Sequence, residues 1–423
     1  MDRQYVSWSF MSQLIKPIIK YICVLGLLFI LFGGMAHAEF RIQPALMLGE
    51  EYNDNILLQN NNPEKDYITY IDPSFTLHYQ TSLWLWDGLY SLEYRYFDKY
   101  GVNTDSTQTA HLRNLTEIIH NFFYFEGIED LRRVSIDVTN DFTQQSPVAH
   151  QTDQNTITLN PYMVLKPTDY MTVRYGHTIV YTRYTTGGGV DRTDNIDYLE
   201  SSSALSSSLT FTVGASQTLD KNDIQNYAEL EIYTGLRYAY GDNSALFGRV
   251  GVGWFDFQDD VHRTEYEWNV GINHHVSPYL ITLETSVSYG TDPLSISTRT
   301  DDYRGIISRE TQRSTISVTT ELQEYKNIQT NVLMDKTRSA KGSYNYRFTH
   351  RTSATIQSTY SDMVTFPGSF STYMSQSSVQ INYQLTERIA MDLLYSHIRS
   401  YSPVIAIYNY RNNREVFELR MTF

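Results

Sequence analysis

Histidine and serine are the residue types in this sequence that hydrolytic or metal-dependent chemistry would need. The chain has 11 histidines, and two of them, His274 and His275, are adjacent. Neighbouring residues of a strand point to opposite faces, so this pair cannot share a metal ion, and Ser396 and His397 cannot act together for the same reason. No G-x-S-x-G elbow, H-E-x-x-H helix or Gly-rich phosphate loop is present. The sequence predicts no enzyme, metal site or cofactor, and a catalytic group assembled from distant loops is the alternative.

Charged side chains at every second position of a strand offer a different chemistry, because they would line a wet interior. In Tyr227–Tyr238, Leu230 and Ile232 share one face while Glu229 and Glu231 share the other. Such residues could orient or select a polar solute, or they could simply hydrogen-bond to one another and solvate the lumen. The lumen-lining candidates are Asp72, His78, Glu93, Arg95, Arg174, Glu229, Glu231, Arg237, Arg249, Glu284, Asp392, Glu418 and Arg420.

The strands that would position these residues are clearest at the end of the sequence. Phe417, Leu419, Met421 and Phe423 alternate with polar residues, which is the pattern of a barrel strand with one face in lipid and one in a wet lumen. A final aromatic residue also suits the assembly signal read by the barrel-insertion machinery, by resemblance to outer-membrane proteins in general. The alternative is a terminal strand of a soluble β-sandwich.

The beginning of the sequence indicates export. Two lysines precede an apolar run at Tyr21–Phe32, and Ala36 and Ala38 follow in an A-x-A arrangement. These features predict a signal peptide, residues 1–38, cleaved after export through the Sec pathway. A membrane helix is the alternative, but the run is shorter than the roughly 20 residues needed to span a bilayer. The only cysteine, Cys23, lies in this run, so the mature chain would contain no disulfide.

The composition of the chain fits one barrel domain at residues 39–423, since no linker divides that range. The mean hydropathy is −0.38, which is compatible with a barrel because every second strand residue faces water. The 35 tyrosines could form the aromatic girdles of two membrane interfaces. The net charge of −14 argues against nucleic acid as a partner.

Strand-like segments alternate with short turns and longer polar loops, as in an up-and-down antiparallel barrel. The pattern predicts an all-β transmembrane barrel of about 18–20 strands, with short turns and both termini in the periplasm. Merging weak segments around Ser201–Ser208 and in 304–345 would reduce the count to as few as about 16.

Two short motifs resemble those of the β-barrel porin 2 family, outer-membrane barrels associated with exopolysaccharide and PEP-CTERM systems. They are Glu51–Ile56 and Tyr410–Arg414. The motif residues are Tyr52, Asn53, Asp54, Asn55, Tyr410, Arg411 and Asn413. The resemblance implies an outer-membrane location and a role in polysaccharide export, and it carries no catalytic residues. Asn53–Asn55 also suits a turn where a strand leaves the membrane, and calcium binding is the alternative.

The sequence as a whole predicts an integral outer-membrane protein of a Gram-negative bacterium. Its predicted function is a porin-like conduit for a hydrophilic solute, linked to exopolysaccharide export. A general nutrient-diffusion porin and a structural or docking barrel with a closed lumen are the alternatives. The expected partners are outer-membrane lipid, the barrel-assembly machinery, and polysaccharide together with periplasmic export components.

Overall fold

The chain forms a single closed β-barrel in a computed structural model that describes residues 39–100, 104–136, 145–147, 150–185 and 188–423. The predicted signal peptide and its cleavage residues, Ala36 and Ala38, lie outside the described residues. The 20 strands are β1 Glu39–Asn53, β2 Asp66–Gln80, β3 Trp84–Phe97, β4 Thr104–Ile119, β5 Phe123–Ser135, β6 Gln151–Thr168, β7 Met171–Tyr184, β8 Arg192–Ala204, β9 Leu209–Asn222, β10 Tyr227–Gly241, β11 Ser244–Phe257, β12 His262–Val276, β13 Tyr279–Thr291, β14 Ser297–Glu310, β15 Ser314–Asn327, β16 Val332–Arg347, β17 Thr352–Thr365, β18 Phe370–Gln384, β19 Ile389–Tyr401 and β20 Tyr410–Thr422.

Every strand pairs antiparallel with its neighbours in the sequence, and β1 pairs with β20 to close the sheet. Ala45 lies opposite Thr422 and Asn53 lies opposite Arg414 at the two ends of this seam. Closure satisfies the backbone groups that an open edge would leave unpaired, which is a requirement in lipid.

The strand number corrects the prediction from the sequence. Counts of 16 or 18 are wrong, because the weak segments are separate strands. A turn at 205–208 divides β8 from β9, with a hydrogen bond from the Leu205 N–H to the Leu209 carbonyl of 2.9 Å. The region 304–345 likewise contains parts of three strands, β14 to β16. Polar residues are frequent on both faces of these segments, so the apolar half of the alternation is too weak to mark each strand.

The connections differ between the two rims of the barrel. At one rim, here called the short-turn rim, each connection contains two to four residues. The opposite rim, called the long-loop rim, includes the connections 54–65, 136–150, 185–191 and 402–409. With an even number of strands, β1 begins and β20 ends at the short-turn rim.

The two faces of the sheet differ in polarity. Leu230 and Ile232 are 47% and 46% exposed on the outer face, whereas Glu231 between them is 9% exposed on the inner face. Exposed apolar side chains recur on strands around the barrel and form an outer belt. Such a belt would be unfavourable in water and is expected where a barrel contacts lipid. Among the described residues, no helix is long and apolar enough to cross a membrane.

Candidate functional site: the barrel lumen

The inner wall around the seam carries a network of ion pairs. Arg414 forms two hydrogen bonds with Glu51, from Nε to Oε1 at 2.9 Å and from Nη2 to Oε2 at 3.0 Å. On the next strands, the Tyr70 hydroxyl donates to Glu418 Oε1 at 2.7 Å, and Arg95 Nε lies 2.5 Å from Glu93 Oε1. Bidentate pairing between Arg414 and Glu51 fixes the orientation of both charges, so the polar wall at the seam contains an ordered ion pair.

Further lumen candidates lie along the same side of the barrel. Arg420 Nη2 lies 3.2 Å from Asp392 Oδ2, and Asn382 donates to Asp392 Oδ1 at 2.9 Å. His78 Nδ1 lies 2.6 Å from Asp87 Oδ1. Asp72 lies on the same inner face of β2, opposite Met47.

A second charged cluster lies across β8 to β12. Arg249 contacts both Glu231 and Glu267, the latter at 2.9 Å from Nη2 to Oε1. Its guanidinium carbon lies 3.7 Å from the ring centre of Tyr233. The Tyr233 hydroxyl in turn donates to Glu200 Oε2 at 2.7 Å. One arginine among several carboxylates leaves this wall with more negative than positive groups.

The remaining candidates are more dispersed. Glu229 lies on the inner face of β10, two residues before Glu231, and Arg237 lies on that face nearer the short-turn rim. Glu284 lies opposite Arg304 in the β13–β14 ladder. Arg174 lies on β7 with its guanidinium carbon 5.0 Å from the ring centre of Tyr162. The structure thus divides the candidates among several clusters on the wall.

The long-loop rim is crossed by a segment that we call the mouth bridge, residues 288–296. The Val190 N–H donates to the Pro293 carbonyl at 2.8 Å, and Arg192 Nη1 donates to the Thr291 carbonyl at 2.6 Å. The Thr291 hydroxyl donates to Asp220 at 3.1 Å. Neighbouring strands are about 4.7 Å apart, and β13 is four strands from β9. These contacts therefore require the bridge to leave the wall and cross the mouth.

The surrounding strands show how the bridge leaves the sheet. The β12–β13 ladder ends at Trp268 and Val287, although both strands extend further. Behind the bridge, Arg263 donates to the Gln329 carbonyl at 2.8 Å, which joins β12 to the β15–β16 connection. The ring of Tyr289 meets Phe255 on the inner face, with centres 5.1 Å apart. The tip of the β13–β14 hairpin is thus folded into the lumen.

A second inward segment meets the seam at the same rim. The Tyr410 hydroxyl donates to Gln145 Oε1 at 2.6 Å, and Asn412 Nδ2 donates to the Gln145 carbonyl at 2.7 Å. Ser146 donates to the Ile56 carbonyl. Leu58 is buried against Ile398 on the inner face of β19. The β1–β2 and β5–β6 connections therefore narrow the opposite side of the mouth.

The two family-like motifs meet at the seam although they lie at opposite ends of the barrel sequence. Asn413 Nδ2 donates to Asp54 Oδ2 at 2.5 Å, and Asn55 Nδ2 donates to the Arg411 carbonyl at 2.9 Å. Asn53 Oδ1 accepts the Asn55 N–H at 3.0 Å. These contacts hold β1 to β20 where the strands end. In the described ranges, no three His, Cys, Asp or Glu side chains are arranged to hold a metal ion.

The other motif and assembly-signal residues lie around this seam. Tyr52 contacts Tyr67 on the outer face, with ring centres 5.0 Å apart. Phe417, Leu419, Met421 and Phe423 lie on the outward side of β20 or just beyond it, and Phe417 and Phe423 are 41% and 64% exposed.

Some residues of the inner wall were not among the lumen-lining candidates predicted from the sequence. Glu51, Arg414 and Glu267 form inner ion pairs, and extending the two-residue period through β1, β12 and β20 would have found them. The mouth bridge has no such signal, because Thr291 and Arg192 are distant in the sequence and meet only across the lumen.

Comparison with known proteins identifies the fold of this chain and does not identify its family. No protein-family model and no curated sequence matches this chain. A mutant of the ferric enterobactin receptor PfeA from Pseudomonas aeruginosa is structurally similar, with a TM-score of 0.51 and 9% identity over 90% of this chain and 80% of that chain. The chain has the fold of an outer-membrane β-barrel. OpdK from Pseudomonas aeruginosa is also similar, with a TM-score of 0.45 and 9% identity over 90% of this chain and 98% of that chain. A BenF-like porin from Pseudomonas fluorescens has a TM-score of 0.45 and 8% identity over 90% of this chain and 99% of that chain.

Proposed function

We propose that this barrel is an integral outer-membrane porin, a passive channel for hydrophilic solutes. The observation that carries the proposal is the contrast between a charged inner wall and an exposed apolar outer belt on the same strands, as at Glu231 and Leu230. Barrels of about 16–18 strands enclose aqueous channels, so a wall of 20 strands leaves room for solute beside the inward segments. The short-turn rim would face the periplasm and the long-loop rim the outside.

The proposed channel prefers cations. At the mouth, the three carboxylates of Asp194, Asp220 and Asp292 lie around the guanidinium of Arg192. Carboxylates also exceed arginines around Arg249. Fixed negative charge raises the local concentration of cations and sets the selectivity of a pore.

The narrower proposal is that the solute belongs to exopolysaccharide export. Its support is the resemblance of the two seam motifs to the β-barrel porin 2 family. General nutrient diffusion uses the same open lumen and is the alternative. Deletion of the gene separates the two: export predicts polymer trapped in the periplasm, whereas a nutrient porin predicts normal secretion and slower uptake of small solutes.

Ion conductance in planar bilayers tests the channel itself. Folded protein should give stable cation-selective conductance. Glu229→Lys, at an inner position, should shift the reversal potential toward anions, because the wall charge changes sign there. Glu415→Lys makes the same change on the exposed outer side of β20 and should leave selectivity unchanged. A folded barrel without conductance would favour a closed structural or docking role and contradict the proposal.

A further inference from the structure

A row of inward tyrosines crosses the inner wall between β5 and β10. Tyr124 lies opposite Tyr162, Tyr162 opposite Gly176, and Gly176 opposite Tyr198 in successive ladders. The rings of Tyr124 and Tyr162 are stacked, with centres 5.2 Å apart and planes 14° apart. Tyr233 continues the row two strands further on. We call Tyr124, Tyr162, Tyr198 and Tyr233 the tyrosine track.

Glycines hold two of these rings flat against the wall. A Cβ at Gly176 would lie 2.5 Å from the Tyr198 hydroxyl oxygen, and a Cβ at Gly214 would lie 2.3 Å from Cζ of Tyr233. Only glycine admits a ring at this distance, so each ring lies along the wall instead of extending across the lumen. The Tyr198 hydroxyl donates to Asn160 Oδ1 at 3.1 Å, which fixes the hydroxyl end of the ring.

The track runs obliquely along the channel. Tyr124 is the second residue of β5 and lies beside the short-turn rim, whereas Tyr233 lies near the middle of β10. Strands of a barrel tilt by about 35–45°, so a row of paired residues changes height as it passes from strand to strand. The row therefore leads from one rim toward the charged cluster below the mouth bridge.

Charged groups accompany the rings along this path. The carboxylates are Glu200, Glu229, Glu231 and Glu267, and the guanidinium groups are those of Arg174 and Arg249. Arg249 covers one face of the Tyr233 ring. The open ring faces of the track offer apolar contact to flat C–H surfaces, and carboxylates offer acceptors for hydroxyl and ammonium donors.

Pyranose rings carry such C–H faces with hydroxyl groups around their edges, and amino sugars add ammonium groups that match the excess of carboxylates. We infer that the tyrosine track is a binding site for a linear oligosaccharide that carries amino groups. This inference rests on the proposed function, because the ligand must enter an open lumen. It adds the class of solute and the residues that contact it.

Interruption of ion current by a sugar tests the track in the intact barrel. The probe is the linear hexamer of glucosamine, added to single channels. We expect reversible blocking, and Tyr162→Ala with Tyr198→Ala should weaken it by about tenfold or more, because both ring faces are then lost. Phe at both positions should retain most of the affinity. Tyr175→Ala, which removes an outward ring from β7 (48% exposed), should have no effect.

Two results would overturn the inference while leaving the channel intact. Blocking that is the same in the alanine and wild-type channels would remove the tyrosines from the site. Equal blocking by a galacturonate hexamer, which is acidic, would remove the charge argument and the proposed ligand class. An electrically silent barrel would instead contradict the proposed function. Calorimetric titration of the folded protein in detergent with the glucosamine hexamer would then test whether the tyrosine track binds the sugar. Absence of binding there would overturn it.

Discussion

The mouth bridge should control conductance, and Arg192→Ala is the change that tests it. The Arg192 guanidinium donates to the Thr291 carbonyl at 2.6 Å and its side chain is 19% exposed. A hydrogen bond from a charged group contributes about 1.5–3 kcal/mol. Its loss should raise the population of channels with a displaced bridge by roughly tenfold or more, given that about 1.4 kcal/mol corresponds to a factor of ten.

Single-channel recording measures this effect directly. Arg192→Ala channels should show longer or more frequent periods at a higher conductance than wild-type channels. Arg183→Ala removes the same charge from an exposed position near the same rim and serves as the matched control. A reciprocal variant, Val190→Cys with Pro293→Cys, places a cysteine on each side of the 2.8 Å backbone contact. Oxidation should fix the low-conductance state, and reduction should release it.

If Arg192→Ala and wild type share the same conductance levels and dwell times, and the oxidised cysteine pair does not differ from the reduced one, then the bridge does not restrict the lumen.

Three further predictions follow from single side chains. Burial raises the pKa of Asp292 in the bridge above its ordinary 3.8, so the protonated form favours the folded bridge. The bridge is therefore stabilised as the pH falls toward 3.8 and weakened as the pH rises. Conductance should fall on acidification, and Asp292→Asn should remove this pH dependence. Gly176→Ala should cost about 1–3 kcal/mol in urea unfolding through its clash with Tyr198, and Tyr198→Ala should relieve most of that cost. Leu283 lies on the outer face and is 54% exposed, so Leu283→Arg should lower the free energy of unfolding by about 2–4 kcal/mol if the site is near the midplane. Ser286→Arg, on the inner face, should be tolerated. Equal losses of stability would mean that the faces are assigned wrongly.

Local alternation explains what the sequence could predict. Leu230 and Glu231 are neighbours, and the two-residue period of a strand places them on opposite faces without any knowledge of the rest of the chain. The lumen candidates on β10 and β20 lie on the inner face for the same reason, although their role in solute passage stays a prediction. The strand count depended on the weaker segments at 201–208 and 304–345, where polar residues on both faces hide the period.

Contacts across the lumen could not be predicted in this way. Asp54 and Asn413 meet only because the barrel closes, and Thr291 reaches Arg192 only because a hairpin tip turns inward. The arrangement of Gly176 below Tyr198 depends on the register between β7 and β8. Each of these features joins residues that are distant in the sequence or depends on pairing that alternation alone does not specify.

Conductance of the purified, folded protein in a planar bilayer tests the central claim most directly. The charged inner wall and the width of the barrel predict stable ionic current, with a reversal potential in a salt gradient that shows preference for cations. Folded protein that inserts into the bilayer and carries no current would contradict the account and leave a closed barrel in its place.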